Sequence, residues 1–574
     1  MSNSYQHAKA THVSKILVFL FFLMSMQCNA AYKVKTLKKN EKLSAQFRET
    51  YTKYIIDTDL WLTEDITIPE DCILCFDGGS LKGPHALIGQ NTIIKSSIVK
   101  IFDVDIKLAG TWCITEAYPE WFGARNDGIT DCTPAFNALM RLCYSQGKHD
   151  ISCVPIKLSK GVYVLENPIV LPFDLNQYRY NKNNEREIYK DWCSSFTLIG
   201  SGYMTTTLKA GLKNRKSLFT SENDREQYNS IHRLKNLVIK DLTFSGSLVC
   251  PTCFDNWSTL QIFNNEFENV TFTEFSDVAV DVMRLGDEKT PSGQNSECNW
   301  RNVSFRYNHI GMRFNGASSS FYGCRWERNF YRGLVVTGFA TSISFYESLI
   351  QYNVSIDPEY ERMFEENNIK RGDFPGNLMF ENVNDAHVNF HGSYFEPSID
   401  RVVDVNYPPI QILQSGDNYC RSEINIEDCY YNMFTDFIKI IRTDYQDDTK
   451  KSVQCYVGNL NLKNLKIARS NTNAYVLAFH GSYLTILNSF FSIHNSKEKM
   501  GHVVLDSKKN YDKLTTVYID IPRYGSSTNR PNYLIGLGQT YFDSDLHKLL
   551  VRVEMPENPN KQVWADANGT VITP

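Results

Sequence analysis

The most constraining feature of this 574-residue sequence is a strand-like segment that recurs with small changes between residues 267 and 495. Where the copies follow one another directly, Asn308, Asn329 and Asn353 take the same position, 21 and 24 residues apart. Other copies read FENVTFTEF (267–275), FHGSYFEPS (390–398), IEDCYYNMF (426–434) and LNSFFSIHN (487–495). A strand pattern with a period in the low twenties is typical of a solenoid, in which each copy forms one coil.

Two positions of the repeat keep their size from copy to copy. The first is small or slender and reads Val270, Val303, Cys324, Ser348, Ser393, Cys429 and Ser489. The position two residues later is bulky and apolar and reads Phe272, Phe305, Trp326, Ile350, Phe395, Tyr431 and Phe491. Residues two apart in a strand share a face, so both columns are expected to point to the same side. We therefore predict that they fill the interior of the coil stack.

The most specific motif is EWFGARNDGITDCTPAF, residues 120–136. It resembles the pattern F-G-A-x-x-D-G-x-x-D-D-T that opens the pectate-lyase-like superfamily. The matching residues are Phe122, Gly123, Ala124, Asp127, Gly128, Asp131 and Thr133, while Cys132 replaces the second acid. Segments 154–172 and 196–210 also resemble the first coils of that superfamily. The resemblance implies an all-β fold, a right-handed parallel β-helix.

The paired acids of this motif, Asp127 and Asp131, are interpreted as structural rather than catalytic. Asp131 is placed to cap a helix predicted over Pro134–Tyr144, with proline in its first turn. Such a helix would cover the open end of the coil stack, where strand edges are otherwise exposed.

The N-terminus has the pattern of a signal peptide over residues 1–30. Lys9 and Lys15 precede the apolar run 16–26, and small residues at Cys28 and Ala30 suit cleavage after Ala30. The run is too short to span a bilayer, and no later segment is long and apolar enough to do so. Lipid anchoring at Cys28 is the alternative, although Gln27 is a poor residue to precede such a cysteine. We expect an exported protein that is periplasmic, cell-surface or secreted.

The rest of the chain divides into three predicted regions. Residues 31–118 comprise a linker to about Phe47 and a strand-rich N-terminal module. Residues 119–500 form the β-helix, and residues 501–574 supply C-terminal strands or a cap, ending in a hairpin. Three aperiodic segments, 173–191, 286–297 and 355–376, are predicted to be long loops that leave successive coils. Long loops in a compact fold are commonly functional, so they are candidates for the walls of a lateral cleft.

The composition and charge of the chain limit the kinds of partner that we expect it to bind. The formal charge is −4, and no basic run is present, which gives no reason to expect nucleic acid. Aromatic residues make up 13% of the chain and suit both interior stacks and sugar platforms. The C-x-x-C pairs Cys72/Cys75 and Cys250/Cys253 are read as structural. Strand residues three apart point to opposite faces, so Cys72 and Cys75 are not expected to share a ligand cluster, and a loop disulfide is the alternative for Cys250 and Cys253. We predict no metal site.

The leading catalytic candidates are Glu327 and Glu396. They belong to an outward column that reads Thr273, Arg306, Glu327, Gln351, Glu396, Asn432 and Ser492. At about 4.8 Å per coil the two backbones would lie about 9.6 Å apart, close to the spacing of about 6.5–9.5 Å between the carboxylates of inverting glycosidases. This favours a glycoside hydrolase. The alternative is a solvated face with ion pairs such as Arg306–Glu327.

A polysaccharide lyase would use the same surface differently. Elimination from a uronic acid needs its carboxylate neutralised and a base beside it. His309 or a tyrosine is the candidate base. Five arginines within 27 residues supply the charge: Arg306, Arg313, Arg325, Arg328 and Arg332. The hallmark patterns of β-helix lyases and polygalacturonases, G-H-G after an aspartate pair and R-x-P-x-x-R, are not found, so the resemblance does not imply pectin as substrate or Ca²⁺ as cofactor.

A third interpretation is a non-catalytic glycan-binding or surface-adhesive solenoid, since the fold does not fix the function. Such a protein would depend on exposed aromatic residues, for which Tyr394 and Tyr430 are the candidates, with Gln351 as a further polar contact. In every interpretation the partner is a polysaccharide. Both a monomer and a homotrimer, as in phage tailspikes of similar build, are compatible with the sequence.

Overall fold

The computed structural model describes residues 32–144, 154–171, 194–221, 232–254, 265–282, 297–315, 318–337, 342–381, 386–396 and 423–433, with shorter strands and turns between them and up to 572. The predicted signal segment and most of segment 286–297 lie outside the described residues. The chain divides into an N-terminal unit (1–124 and 134–150) and a coil unit (125–133 and 151–574). No helix in the described ranges is long and apolar enough to cross a membrane.

The N-terminal unit is built from short parallel strands. They are Lys33–Thr36, Thr52–Ile56, Leu60–Trp61, Ile66–Thr67, Ile73–Phe76, Leu81–Lys82, Ala86–Lys95 and Lys107–Trp112. A short helix, Leu43–Gln46, and a 3₁₀ helix, Pro119–Phe122, accompany them. The prediction of a linker up to Phe47 is wrong, because Lys33–Thr36 pairs in parallel with Thr52–Ile55 and begins the sheet.

The coil unit is a parallel β-helix, as predicted from the sequence, and its coils contribute strands to three faces. The first face contains Ile156–Lys157, Ser194–Ile199, Leu260–Phe263, Asn299–Arg301, Ser319–Tyr322, Ile343–Tyr346, His387–His391, Glu423–Glu427, Val457–Lys463, Gly481–Leu487 and Thr516–Asp520. The second face contains Asp127–Asp131, Gly161–Leu165, Thr206–Ala210, Ser304–Arg306, Arg325–Glu327, Leu349–Gln351, Tyr394–Phe395, Tyr430–Met433, Lys466–Arg469 and Phe490–Ile493. The long strands His232–Ser245 and Glu266–Thr273 run through both faces.

The third face closes each coil. Its strands are Ile169–Leu171, Ser217–Ser221, Thr252–Phe254, Val278–Val282, Ile310–Phe314, Arg332–Thr337, Gly376–Glu381, Ile410–Gln414, Ile438–Arg442, Leu477–Phe479 and Val503–Leu505. The parallel ladder continues past the predicted boundary at 500, since Tyr483 pairs with Thr516 and Leu487 with Asp520.

The coil unit also contains two short hairpins and a C-terminal sheet. Hairpins join Tyr178–Tyr180 to Arg186–Ile188 and Ser398–Asp400 to Val405–Tyr407. The C-terminal sheet contains Tyr524–Gly525, Thr540–Asp543, Lys548–Met555, Asn558–Asp566 and Val571–Ile572. The predicted final hairpin is present there, with Trp564 opposite Ile572.

The interior of the coil unit consists of the two columns predicted to lie inside. The described members of both columns are buried, and the bulky column stacks ring on ring, with 5.1 Å between the ring centres of Phe272 and Phe305 and 5.5 Å between Phe305 and Trp326. A second stack from the first face includes Phe267 and Trp300, whose ring centres are 4.0 Å apart. Similar side chains of neighbouring coils therefore contact each other, and these contacts set the register between coils.

Buried asparagines form a ladder at the corner between the second and third faces. Asn308, Asn329, Asn353 and Asn377 are fully buried. The amide nitrogen Nδ2 of each donates to Oδ1 of the next, at 3.0 Å from Asn308, 2.7 Å from Asn329 and 2.7 Å from Asn353. A buried amide must find partners for its donors and acceptors, and each asparagine of the ladder meets that need for the next. Asn308, Asn329 and Asn353 lie on successive coils, and Asn377, in the strand Gly376–Glu381 of the same coil as Asn353, ends the ladder.

Two helices longer than one turn interrupt the described strands. The helix predicted over Pro134–Tyr144 runs over Thr133–Tyr144, and the Asp131 carboxylate accepts hydrogen bonds from the Thr133 backbone N–H and hydroxyl. Asp127 likewise holds the Ile129 and Thr130 backbone N–H groups. A further helix, Pro358–Glu366, lies in segment 355–376, which was predicted as a loop.

Candidate functional site

The second face presents a polar outward column in which the predicted catalytic residues lie. Parallel pairing aligns Thr273 with Arg306 and Arg306 with Glu327. The next coil aligns Gln351 with Glu327. Glu396 follows Phe395, which pairs with Ile350, so it occupies the column one coil beyond Gln351. The structure thus places Glu327 and Glu396 two coils apart with Gln351 between them.

Glu327 is partly exposed, and its carboxylate accepts a hydrogen bond from the next residue of the outward column. The Gln351 side-chain amide donates to Glu327 Oε2 at 3.2 Å. Arg306 is aligned with Glu327, but the ion pair considered from the sequence is not among the contacts of the described residues. The Glu327 carboxylate therefore keeps acceptor capacity toward solvent.

Glu396 lies in a more enclosed position, with 6% of its surface exposed. The Tyr394 hydroxyl donates a short hydrogen bond to Glu396 Oε1. The Tyr352 side chain also reaches this carboxylate, and a hydrogen bond to Glu396 is the main cause that raises the Tyr352 pKa. Glu396 Oε2 is buried and has no hydrogen-bond partner among the described residues. A buried carboxylate with one oxygen held and one oxygen free is a candidate for proton transfer.

The tyrosines beside Glu396 differ from the exposed platforms that the sequence predicted. Tyr394 and Tyr430 are half-buried and stack on each other, with ring centres 5.2 Å apart and planes 10° apart. Each ring therefore covers one face of the other. Burial, followed by the hydrogen bond to Glu396, raises the pKa of Tyr394 far above its usual value, so its hydroxyl stays protonated and acts as a donor.

A ridge of four residues borders this column at the corner toward the third face. Glu274, Tyr307, Arg328 and Tyr352 each precede a buried corner residue and have positive φ, between 50° and 61°. Left-handed backbone at non-glycine residues is uncommon. Here it repeats from coil to coil because the chain must turn at the same point in every coil. The backbone N–H groups of Glu274 and Tyr307 donate to the carbonyls of Tyr307 and Arg328, both at 3.1 Å.

Segment 355–376 packs on this ridge. Asp357 accepts hydrogen bonds from the Tyr307 hydroxyl and from Arg328, both at 2.8 Å. The Tyr360 ring stacks on Tyr307 with 4.0 Å between ring centres, and its hydroxyl donates to Glu274 at 3.3 Å. Burial and the nearby Glu274 charge raise the pKa of Tyr360 to about 12. The segment is thus a fixed wall rather than a free loop.

The same segment also packs against Phe330, at the corner before the third-face strand Arg332–Thr337. Phe364 stacks on Phe330 with ring centres 4.6 Å apart. Arg371 pairs with Glu361 at 2.8 Å and lies over the Phe330 ring. These apolar and charged contacts hold both ends of the helix against the coils.

Two residues predicted to bind substrate are engaged elsewhere. His309 lies under segment 355–376, where its Nε2 is 3.0 Å from the Lys370 carbonyl and its side chain is 15% exposed. Arg313 lies on the third face and pairs with Asp281 at 3.2 Å. Arg306 and Arg325 remain on the second face, and Arg325 is exposed. The structure therefore brings together Glu327, Gln351, Glu396, Tyr394, Tyr430 and these two arginines.

Sequence reasoning missed Tyr352 and the residues that fix segment 355–376. A signal was available, since the residue before Asn308, Asn329 and Asn353 recurs as Tyr, Arg and Tyr. The carboxylate environment of Tyr352 depends on contacts between coils that no local pattern encodes. Within the described ranges no group of three or more His, Cys, Asp or Glu side chains is arranged to hold a metal ion.

A family model matches part of the chain. Residues 120–349 match the family described as "Rhamnogalacturonase A/epimerase, pectate lyase-like". No curated protein matches the sequence. Among solved structures, the chain is similar to the A-module of the mannuronan C-5 epimerase AlgE4 from Azotobacter vinelandii, with 12% identity, a TM-score of 0.40, and 70% of this chain and 99% of that chain covered. It is also similar to full-length tailspike protein 2 of Escherichia coli O157:H7 bacteriophage CAB120, with 12% identity, a TM-score of 0.38, and 65% and 46% covered.

Proposed function

Because the chain carries a pectate-lyase-like β-helical domain over residues 120–349, we propose that it is an exported glycoside hydrolase that cleaves a polysaccharide along the second face. The observation that carries this proposal is the carboxylate pair Glu327 and Glu396, two coils apart in one outward column. A coil spacing of about 4.8 Å puts the two backbones about 9.6 Å apart. Side chains of this length reach the separation at which inverting glycosidases place an acid and a base with water between them.

The two carboxylates have different environments, which suits two different roles. The Tyr394 hydroxyl donates to Glu396 Oε1 and Oε2 has no partner among the described residues, so Glu396 is assigned as the base. Its Oε2 takes a proton from water while the water oxygen bonds to the anomeric carbon. Glu327, more open to solvent, donates its proton to the glycosidic oxygen as the bond from that oxygen to the anomeric carbon breaks. Since Oε2 is enclosed without substrate, glycan binding must make room for the water.

The lyase alternative is less well supported by the described contacts. It needs a base beside the arginines, yet His309 lies under segment 355–376 and the pKa of Tyr394 is raised rather than lowered. A phenol that holds its proton more tightly is a poorer base at neutral pH. Arg306 and Arg325 stay available to neutralise an acidic sugar, so the lyase outcome belongs in the test.

The test is a screen of the purified protein against acidic and neutral polysaccharides, with reducing ends and absorbance of unsaturated uronates read in parallel. We expect reducing ends without absorbance. Glu327→Gln and Glu396→Gln should each lower the rate by about 100-fold or more, the range for loss of a general acid or base. Glu347→Gln is the matched control, because Glu347 is an exposed glutamate at the turn before Leu349–Gln351, between the first and second faces.

Three outcomes would contradict the proposal. Absorbance together with reducing ends would indicate a lyase. Binding without cleavage would indicate an adhesive solenoid, and unchanged rates in both glutamine variants would place the chemistry elsewhere.

N-terminal sequencing of the exported protein, with Ala31 as the expected first residue, tests the signal segment, and light scattering distinguishes a monomer from a homotrimer.

A further inference from the structure

The corner ridge is covered unevenly. Segment 355–376 contacts Glu274 and Tyr307 through Tyr360, and Tyr307 and Arg328 through Asp357. The fourth ridge residue, Tyr352, is 39% exposed and lies beyond these contacts. The wall thus leaves one aromatic side chain of the ridge open to solvent, next to Glu396.

The other tyrosines of this surface each have one ring face covered by a stacked tyrosine. Tyr307 is stacked with Tyr360, and Tyr394 with Tyr430. Among the described residues no aromatic ring stacks on Tyr352. It is therefore the tyrosine near the carboxylate pair that is exposed and has neither ring face stacked on another aromatic ring.

Tyr352 is also held in a defined position. Its φ of 50° belongs to the repeated corner turn, and the next residue is fixed by a 3.0 Å hydrogen bond from the Asn353 N–H to Asn377 Oδ1. At the other end its hydroxyl reaches the Glu396 carboxylate. A ring fixed at both ends loses little conformational freedom when a ligand packs on it.

We propose that Tyr352 is the sugar platform of the subsite beside Glu396, on which one pyranose ring of the glycan packs through its C–H face. The π face of an aromatic ring is electron-rich and attracts the weakly positive C–H groups of a sugar. Such packing needs no charge on the sugar, so it serves neutral and acidic residues alike. The inference rests on the proposed function, since it places the platform at the site of cleavage.

The test separates binding from cleavage. Binding of polygalacturonate, alginate and a soluble neutral β-glucan is measured by affinity electrophoresis of the full chain, and KM and kcat are measured on whichever polysaccharide is cleaved. Tyr352→Ala should weaken binding and raise KM by about threefold to tenfold, the value of one aromatic contact. Tyr352→Phe keeps the ring and should change binding by less than about twofold.

The matched control is Tyr51→Ala. Tyr51 has a φ of 48°, is 54% exposed and hydrogen-bonds to an acid, Asp71, in the N-terminal unit. It should leave binding unchanged. Wild-type binding that survives Tyr352→Ala overturns the platform, as does an equal loss in Tyr352→Phe. Binding that depends on Tyr352 without any cleavage supports the platform and rejects the hydrolase, and a wild type that binds none of the probes overturns both.

Discussion

Replacing Asn329 by alanine tests whether the buried asparagine ladder holds the coils together. Asn329 Oδ1 accepts from the Asn308 backbone N–H at 3.1 Å, and its Nδ2 donates to the Phe305 carbonyl at 2.9 Å. Alanine leaves both of these buried groups without that partner. Each unsatisfied buried group costs about 1–3 kcal/mol, so the expected loss of unfolding free energy is about 2–6 kcal/mol.

Asn389→Ala is the matched control for this substitution. Asn389 belongs to an outward ladder of the first face, where it donates to Ser344 at 3.4 Å and accepts from Asn425 at 2.8 Å. It is only partly buried, so water can replace these partners. The expected cost is below about 1 kcal/mol.

Urea unfolding followed by circular dichroism measures both variants. Solenoid coils interact mainly with their neighbours, and unfolding need not be two-state. Hydrogen exchange should therefore show the loss of protection concentrated in the coils around residues 305–353. Equal costs for the two substitutions, or a loss spread evenly over the chain, would refute the reasoning.

Three further predictions follow from titration, burial and packing. Burial is the main cause that raises the pKa of Tyr360 to about 12. The protonated hydroxyl therefore contributes its full stability below pH 10, and this contribution is lost as the pH rises toward 12. Spectrophotometric titration should show one fewer late-ionising tyrosine in Tyr360→Phe, and an unchanged curve would contradict this. Cys113 is exposed while Cys324 is buried with its thiol pKa raised to about 12, so peptide mapping after alkylation of the native protein should find label on Cys113 and none on Cys324. Asp357→Ala should free segment 355–376 and speed tryptic cleavage after Arg362 with little change in melting temperature; unchanged cleavage would mean that the aromatic contacts suffice.

Much of the fold was predictable because it depends on repetition. The columns through Val303 and Phe305 could be identified without any structure, since side chains of fixed size recur at fixed spacing. The equivalence of Asn308, Asn329 and Asn353 was also visible, but not that their amides bond to one another. That contact joins residues 21 and 24 positions apart and needs knowledge of the corner.

The site was predictable only in part. Glu327, Gln351 and Glu396 share a column because coils stack in register, which the repeat determines. The placement of His309 under a wall was not predictable, because segment 355–376 has no counterpart in the other coils. Its helix has a readable start at Pro358, yet where it packs depends on Phe364 and Tyr360 meeting partners far away in sequence.

The stacking of like rings in the interior has a consequence for how such a surface can change. Because Phe305 must rest on Phe272 and Trp326 on Phe305, coils can be gained or lost only whole. The distance along the axis between side chains on different coils can therefore change only in steps of about 4.8 Å, the spacing of one coil. A wall added at a corner has no such restriction and can vary by single residues. Divergence toward new glycans is then expected to proceed through the walls, while the positions of the carboxylates along the axis shift rarely and in whole steps.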